Sequence, residues 1–165
     1  MAETEYTGLE IAVVGMAGRF PGAEDIDHLW KNLKKSIESL TFYSDDELRE
    51  AGVEPDLLED PDYIKCGGGT IEGSVYFDAS FFGYNPAEAQ VMDPQMRIFH
   101  ECVYHALEDA GYNPAAYKGL IGLFAGASFN MTWEALVLSS GRFEVLGHYA
   151  GSLLIDRDYL CTRVS

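Results

Sequence analysis

Two apolar runs in the sequence predict β-strands that are buried on both faces. Residues 11–14 form an unbroken run that ends at Gly15, and residues 120–125 form a second run, interrupted by Gly122 and closed by Gly126. Continuous runs of this kind are typical of strands that other elements cover on each side. Because segments with helical periodicity alternate with them, the sequence predicts a layered α/β fold with parallel strands.

Helical periodicity appears first after Asp25. The apolar positions there are Ile26, Leu29, Trp30, Leu33 and Ile37, with Lys31, Lys34 and Lys35 on the outer face. This pattern predicts an amphipathic helix with one face directed at the core. Residues 156–165 are also compatible with a helix.

Two further helix starts are marked by capping residues. Asn85 precedes a proline and lies three positions before Glu88, which is a capping-box arrangement. Asp93 also precedes a proline, so it is predicted to cap a second helix. Apolar residues then recur at helical spacing as far as Gly111, which is predicted to end that helix.

The composition is that of a folded chain with a strongly acidic surface. The 165 residues are 47% apolar and 23% charged, which fits one domain or part of a larger one. The net charge of −16 argues against nucleic acid as a partner, because phosphate binding needs clustered Lys and Arg. Nine acidic residues lie within residues 45–62, and a solvated surface is favoured there over a recruitment site.

The sequence also bears on the compartment. It has no apolar run of 18 residues, so no membrane-spanning helix is predicted, and its acidic start does not resemble a signal peptide. Residues 1–8 are expected to be a polar lead-in to a domain that begins at residue 9. The cysteines Cys66, Cys102 and Cys161 have no CxxC spacing, which favours a reducing cytoplasm over a disulfide framework.

The glycines after the first predicted strand do not form a nucleotide-binding motif. Gly15, Gly18 and Gly22 lack the GxGxxG spacing, so a structural turn is favoured over a dinucleotide site. Ser128 is not surrounded by a GxSxG motif, so no nucleophile elbow is predicted there.

No metal site or acid–base pair is predicted either. His100 and His105 are five positions apart and do not share a helical face, and Cys102 with His105 lacks a third ligand. Glu108 and Asp109 are adjacent at a predicted helix end, where solvent exposure is favoured over catalysis.

Six sequence blocks occur in an order that is more specific than any one of them. They are residues 11–22 (IAVVGMAGRFPG), 68–73 (GGTIEG), 77–83 (FDASFFG), 92–97 (MDPQMR), 106–111 (ALEDAG) and 122–128 (GLFAGAS). Together they resemble the N-terminal half of a β-ketoacyl synthase domain. The resemblance covers residues 9–165 and is closer to modular polyketide and hybrid peptide–polyketide synthases than to stand-alone fatty-acid condensing enzymes.

The resemblance implies a thiolase-like layered α/β fold, of which this chain would supply the N-terminal half, and a homodimer of the complete domain. In this family an acyl chain passes from the phosphopantetheine of an acyl carrier protein to a cysteine. A decarboxylative Claisen condensation with a malonyl-type unit then extends it. The implied partners are the carrier protein and the rest of the megasynthase, and no cofactor is expected to bind this chain directly.

The residues that react in this family are expected beyond Ser165. Its nucleophile lies in a Thr-Ala-Cys-Ser-type turn and two catalytic histidines follow later, so this chain alone is expected to be inactive. Cys161 matches the helix before that turn and is interpreted as a packing residue. Phe129 is expected to line the acyl pocket, with an ordinary core aromatic as the alternative.

Two parts of the chain depart from the family pattern. His100 stands where the family often has an apolar residue, and its role is left open. Residues 133–149 match no family block and are expected to form a loop near the dimer seam.

The alternative to a ketosynthase function is a non-catalytic ketosynthase-like module for docking or dimerisation.

Overall fold

A computed structural model of the chain describes residues 7–165, which form two compact units. One unit comprises residues 18–74, and the other comprises residues 7–17 together with residues 75–165. None of the helices within residues 7–165 is long and apolar enough to cross a lipid bilayer. Most of the predicted lead-in at residues 1–8 lies outside the described residues.

The unit of residues 18–74 contains three helices and a small antiparallel sheet. These elements are α1 (Ile26–Lys34), β1 (Thr41–Phe42), α2 (Asp45–Glu50), α3 (Pro55–Leu58) and β2 (Cys66–Gly67), with Thr41 paired to Gly67. Helix α1 is the predicted amphipathic helix, and Asp25 caps it by accepting a hydrogen bond from the backbone N–H of His28 at 2.6 Å. Its apolar face is largely uncovered, because Trp30 is 58% exposed and Leu33 is 59% exposed.

The other unit is built from six helices. They are α4 (Pro86–Val91), α5 (Pro94–Asp109), α6 (Met131–Ser139), α7 (Arg142–Leu146), α8 (His148–Ile155) and α9 (Leu160–Val164), the last preceded by a 3-10 turn at Arg157–Tyr159. Seven buried side chains form the core between them: Val91, Met92, Met96, Val137, Phe143, Leu154 and Leu160. The core therefore lies where the start of α5 meets α4 and α6–α9.

Both capped helix starts are confirmed. The Asn85 side chain accepts from the backbone N–H groups of Ala87 and Glu88 at 2.9 and 3.0 Å, and Glu88 accepts from the Asn85 N–H at 2.9 Å. Asp93 caps α5, which ends at Asp109 as the pattern predicts. Gly111 then takes a φ of +72°, a left-handed conformation that favours glycine.

The two predicted strands are wrong as regular elements. Residues 11–14 and 120–125 carry no ladder of backbone hydrogen bonds to any described residue, and Ile11 and Phe124 are each 94% exposed. A strand exists only when a neighbouring strand pairs with its backbone. Residues 7–17 belong to the same unit as α5, and the Met16 N–H donates to Asp109 Oδ2 at the end of that helix at 2.8 Å.

The expectation of a loop at residues 133–149 is also wrong. This stretch contains most of α6, all of α7 and the start of α8. The Asn130 side chain caps α6 by accepting from the Trp133 N–H at 3.1 Å. Gly141 and Gly147 have φ of +70° and +88°, so the two glycines supply the sharp bends between short helices that the periodicity does not reveal.

Candidate functional site

The start of α5 is bound to two other parts of its unit through Asp93. This residue is only 6% exposed, and its Oδ1 accepts from the Gln95 N–H at 2.8 Å and from Asn130 Nδ2 at 3.3 Å. Its backbone N–H donates to the Leu154 carbonyl at 2.9 Å. The cap thus satisfies the free amides at the helix start and also fixes α5 to the ends of α6 and α8.

Gln95 holds the segment that ends at Ser128. Its Nε2 donates to the Ser128 carbonyl at 2.9 Å, and its Oε1 accepts from the Ser128 N–H at 3.2 Å. An amide side chain can do both at once because it carries a donor and an acceptor side by side. A side chain of α5 therefore fixes the backbone immediately before Phe129.

Arg97 is a buried cation that serves a backbone carbonyl. It is 7% exposed, and its Nε and Nη2 donate to the Met92 carbonyl at 3.0 and 2.7 Å. The guanidinium lies 5.0 Å from the ring centre of Trp133, whose Nε1 donates to the Val91 carbonyl at 2.9 Å. Burial lowers the pKa of Arg97, and the nearby Asp93 raises it in part. Arg97 and Trp133 thus satisfy the backbone carbonyls at the turn between α4 and α5.

His100 lies one turn further along α5 and is 4% exposed. Its Nδ1 is 2.7 Å from the Met96 carbonyl oxygen, and its Nε2 is 3.1 Å from both the Tyr84 hydroxyl and the Arg163 carbonyl oxygen. The Tyr84 hydroxyl also donates to the Arg163 carbonyl at 3.1 Å. Burial raises the pKa of Tyr84, since the ionised phenolate would lose its hydration.

A cavity of about 480 Å³ opens beside this histidine within the same unit. Its walls are mainly apolar and aromatic, and they include Phe82, Tyr104, Leu107 and Val164 as well as the His100 ring. Apolar concave surfaces with one convergent polar group are typical of binding sites and also of uncovered interior surface.

The structure does not unite the residues that the sequence singled out. Phe129 is 59% exposed, and its expected role in an acyl pocket stays a prediction. Cys161 is a partly buried free thiol, and residues 7–165 hold no group of three side chains able to bind a metal ion. At the end of α5, Asp109 binds the Met16 N–H, and Glu108 lies 3.1 Å from His105.

Sequence reasoning missed Gln95, Arg97 and Tyr84. A usable signal was present for α5, because Asp93, Arg97 and His100 recur at i, i+4 and i+7 and therefore share one helical face. Polar residues on the face that the flanking apolar residues mark as buried must find partners inside. Tyr84 offered no such signal, since its partner Arg163 is 79 positions away.

The comparisons with known proteins agree on one family. The family model "Beta-ketoacyl synthase, N-terminal domain" matches residues 9–165. The chain is 45% identical over 163 residues to a phenolphthiocerol/phthiocerol polyketide synthase subunit of Mycobacterium tuberculosis, covering 94% of this chain and 11% of that protein. It is 41% identical over 107 residues to polyketide synthase PksN of Bacillus subtilis, covering 65% of this chain and 2% of that protein.

Solved structures give the same result for the fold. Ketosynthase twelve of the bacillaene polyketide synthase from Bacillus amyloliquefaciens matches with a TM-score of 0.54 and 48% identity, over 61% of this chain and 18% of that one. The oxazolomycin ketosynthase domain from Streptomyces albus matches with a TM-score of 0.52 and 37% identity, over 63% and 18%. The predicted fold class, a thiolase-like α/β fold represented by its N-terminal half, is confirmed.

Proposed function

The chain belongs to the β-ketoacyl synthase family, corresponding to its N-terminal domain, and on this basis we propose that it forms the N-terminal scaffold of a polyketide chain-elongating ketosynthase. The observation that carries the proposal is the match over residues 9–165 together with relatives that are polyketide synthases. The chain spans only 11% of the first of those relatives. Activity is therefore proposed for the complete domain, and this chain alone is expected to be inactive.

The proposed reaction joins two acyl units through carbon. A cysteine thiolate attacks the acyl thioester of one carrier protein, forms a new C–S bond and releases the phosphopantetheine thiol. A malonyl-type thioester on a carrier then loses carbon dioxide, and the resulting carbanion attacks the enzyme-bound thioester. The thiolate leaves and a β-ketoacyl carrier is formed. We assign the cysteine and the two oxyanion-stabilising histidines to positions beyond Ser165, following the family pattern.

The role proposed for this chain is to hold backbone segments in place around that chemistry. Helix α5 binds Ser128 through Gln95, and its His100 holds the Tyr84 hydroxyl that donates to the Arg163 carbonyl. Ser128 precedes Phe129, for which we keep the proposed role in the acyl pocket, and Arg163 precedes the chain that leads to the nucleophile turn. Rigid support of this kind matters because reacting groups must be held close to their productive geometry.

The proposed partners follow from the family. They are an acyl carrier protein, whose phosphopantetheine presents both substrates, the other modules of the megasynthase, and a second ketosynthase copy. A cytoplasmic location is proposed with them.

Four apolar residues are uncovered and support an extensive interface. They are Ile11, Val13, Leu120 and Phe124, and each is at least 77% exposed. We propose that the remaining part of the same domain covers these residues. The second candidate function is a docking or dimerisation module, in which another protein would cover them.

The experiment compares this chain with the complete ketosynthase domain that begins with it. Each is incubated with an acyl carrier protein and a malonyl carrier protein, and the carriers are analysed by intact-mass spectrometry. The complete domain is expected to form a β-ketoacyl carrier, and the 165-residue chain is expected to form none. Product from the short chain would contradict the assignment of the nucleophile, and failure of the complete domain with every malonyl-type unit would contradict the condensation.

A further inference from the structure

The orientation of the His100 ring is fixed by its two nitrogen atoms. Nδ1 lies 2.7 Å from the Met96 carbonyl oxygen, which can only accept, so Nδ1 carries a proton. Nε2 is then available as an acceptor. The Tyr84 hydroxyl, 3.1 Å from Nε2, is the donor that meets it.

Tyr84 and His100 converge on one backbone atom of α9. The Arg163 carbonyl oxygen lies 3.1 Å from the Tyr84 hydroxyl and 3.1 Å from His100 Nε2. The Tyr84 hydroxyl oxygen is 3.1 Å from each of two acceptors, His100 Nε2 and the Arg163 carbonyl oxygen, so a single O–H serves both. The Tyr84 hydroxyl thus links the Arg163 carbonyl, 79 positions later in the sequence, to His100.

The imidazole cannot easily turn away from this arrangement. The Phe82 ring meets it edge-on with centroids 5.3 Å apart and planes at 71°, and the Phe77 ring meets it at 5.8 Å and 66°. The Tyr84 ring is also edge-on, at 5.3 Å and 85°. Three aromatic rings therefore hold the orientation in which Nε2 points at α9.

We propose that His100 and Tyr84 form a latch that positions the last turn of α9 and thereby the chain that follows it. The proposal rests on the proposed function, in which that following chain carries the nucleophile turn. His100 and Tyr84 are positioning residues here, because they touch the Arg163 backbone and no reacting atom. The latch also gives a role to a histidine that stands where the family often has an apolar residue.

Three substitutions separate a latch from simple packing. Tyr84→Phe keeps the ring and removes only the hydroxyl. His100→Gln can place its amide near the position of Nε2 and so keep an acceptor for the Tyr84 hydroxyl, whereas His100→Asn can place its amide only near Nδ1. His105→Asn is the matched control, because His105 lies on the same helix with its side chain 64% exposed.

The first measurement is acyl transfer to the enzyme by the complete ketosynthase domain. Tyr84→Phe and His100→Asn are expected to lower kcat about fivefold at unchanged KM, which is the effect of one lost hydrogen bond of about 1 kcal/mol. His100→Gln and the His105→Asn control are expected to stay within about twofold of the parent. Equal loss in His100→Gln and His100→Asn, or full activity in both Tyr84→Phe and His100→Asn, would overturn the latch.

The second measurement needs no activity and uses the 165-residue chain. Amide hydrogen exchange by NMR is expected to quicken about fivefold at Ser165, whose N–H donates to Cys161, in Tyr84→Phe and His100→Asn but not in His105→Asn. Unchanged exchange in all variants would overturn the latch. A complete domain that forms no product while exchange responds as expected would reject the proposed function and keep the latch.

Discussion

Gln95 makes two side-chain hydrogen bonds to the backbone of one residue, Ser128, which lies 33 positions later in the chain. The amide therefore pairs with the N–H and C=O of Ser128 as a neighbouring strand would. The segment that begins at Leu120 has no strand partner among the described residues. One side chain of α5 thus fixes the end of a segment whose beginning is uncovered.

The first prediction tests this clamp. Gln95→Ala removes both hydrogen bonds to Ser128, so it is expected to lower the free energy of unfolding by about 1–2 kcal/mol. Urea unfolding measures this change, and amide exchange at Ser128 is expected to quicken. Gln90→Ala is the matched control, because Gln90 is an exposed glutamine on helix α4. A similar loss of stability in both variants would show that the contact to Ser128 has no specific effect.

The second prediction concerns the cap of α5. Asp93→Ala is expected to lower the free energy of unfolding by about 1–2 kcal/mol, since the Gln95 N–H at 2.8 Å would lose its acceptor. Asp93→Asn keeps a side-chain oxygen of the same shape and is the conservative comparison. It is expected to retain most of the stability in thermal and urea unfolding. If Asp93→Asn were as damaging as Asp93→Ala, the capping oxygen would not explain the effect.

Helix starts could be predicted from the sequence because their causes are local. The capping bonds of Asn85 reach only as far as Glu88, and the capping bond of Asp93 reaches only Gln95, so three or four residues contain each helix-start signal. The bends at Gly141 and Gly147 also have local causes. The helices beside these glycines, α7 and α8, are too short to show a clear apolar periodicity, so the sequence pattern there is that of a loop.

The strands and the buried polar face depend on distant parts of the chain. Residues 11–14 have the composition of a strand, and yet a strand also needs a partner that no described residue provides. The partners of Tyr84 and Gln95 come from positions 79 and 33 residues later, and no sequence pattern links those positions. The family blocks recovered the fold class because they summarise such long-range packing in related proteins.

The third prediction concerns the buried guanidinium. Arg97→Lys keeps the charge but loses the two-donor fork to the Met92 carbonyl and the contact with the Trp133 ring. The substitution is expected to lower the free energy of unfolding by about 1–3 kcal/mol, the cost of leaving a buried polar group without its hydrogen-bond partner. Arg142→Lys, at an exposed position of α7, is the control and should change stability by less than about 0.5 kcal/mol.

The fourth prediction is a pH dependence of helix α2. Hydrogen bonds from the Ser44 backbone and hydroxyl, both 2.7 Å long, hold the pKa of Glu47 below its ordinary value of 4.5. A lowered pKa means that the carboxylate stabilises the folded helix above pH 4.5 and that this contribution is lost as the pH falls through the lowered value. NMR titration of the Glu47 carboxyl measures its pKa, and titration of the Ser44 amide measures the loss of the hydrogen bond as the pH falls.

Glu47→Gln separates this effect from a neighbouring one. The pKa of Asp45 in the same helix is also lowered, because Lys65 donates to it at 2.6 Å. Glutamine can keep the capping box without titrating, so the acid-induced change at the Ser44 amide is expected to disappear in this variant. A Ser44 titration that persists in Glu47→Gln would assign the dependence to Asp45 instead.

The fifth prediction tests what covers the apolar surface at Phe124. In the 165-residue chain this ring is 94% exposed, so Phe124→Ala is expected to change the free energy of unfolding by less than about 0.5 kcal/mol. In the complete ketosynthase domain the same substitution is expected to cost about 3–5 kcal/mol, because the ring would be buried there. Phe143→Ala is the control, since Phe143 is 6% exposed and should be costly in both proteins. An equally small effect of Phe124→Ala in both would show that the remainder of the domain does not cover this segment.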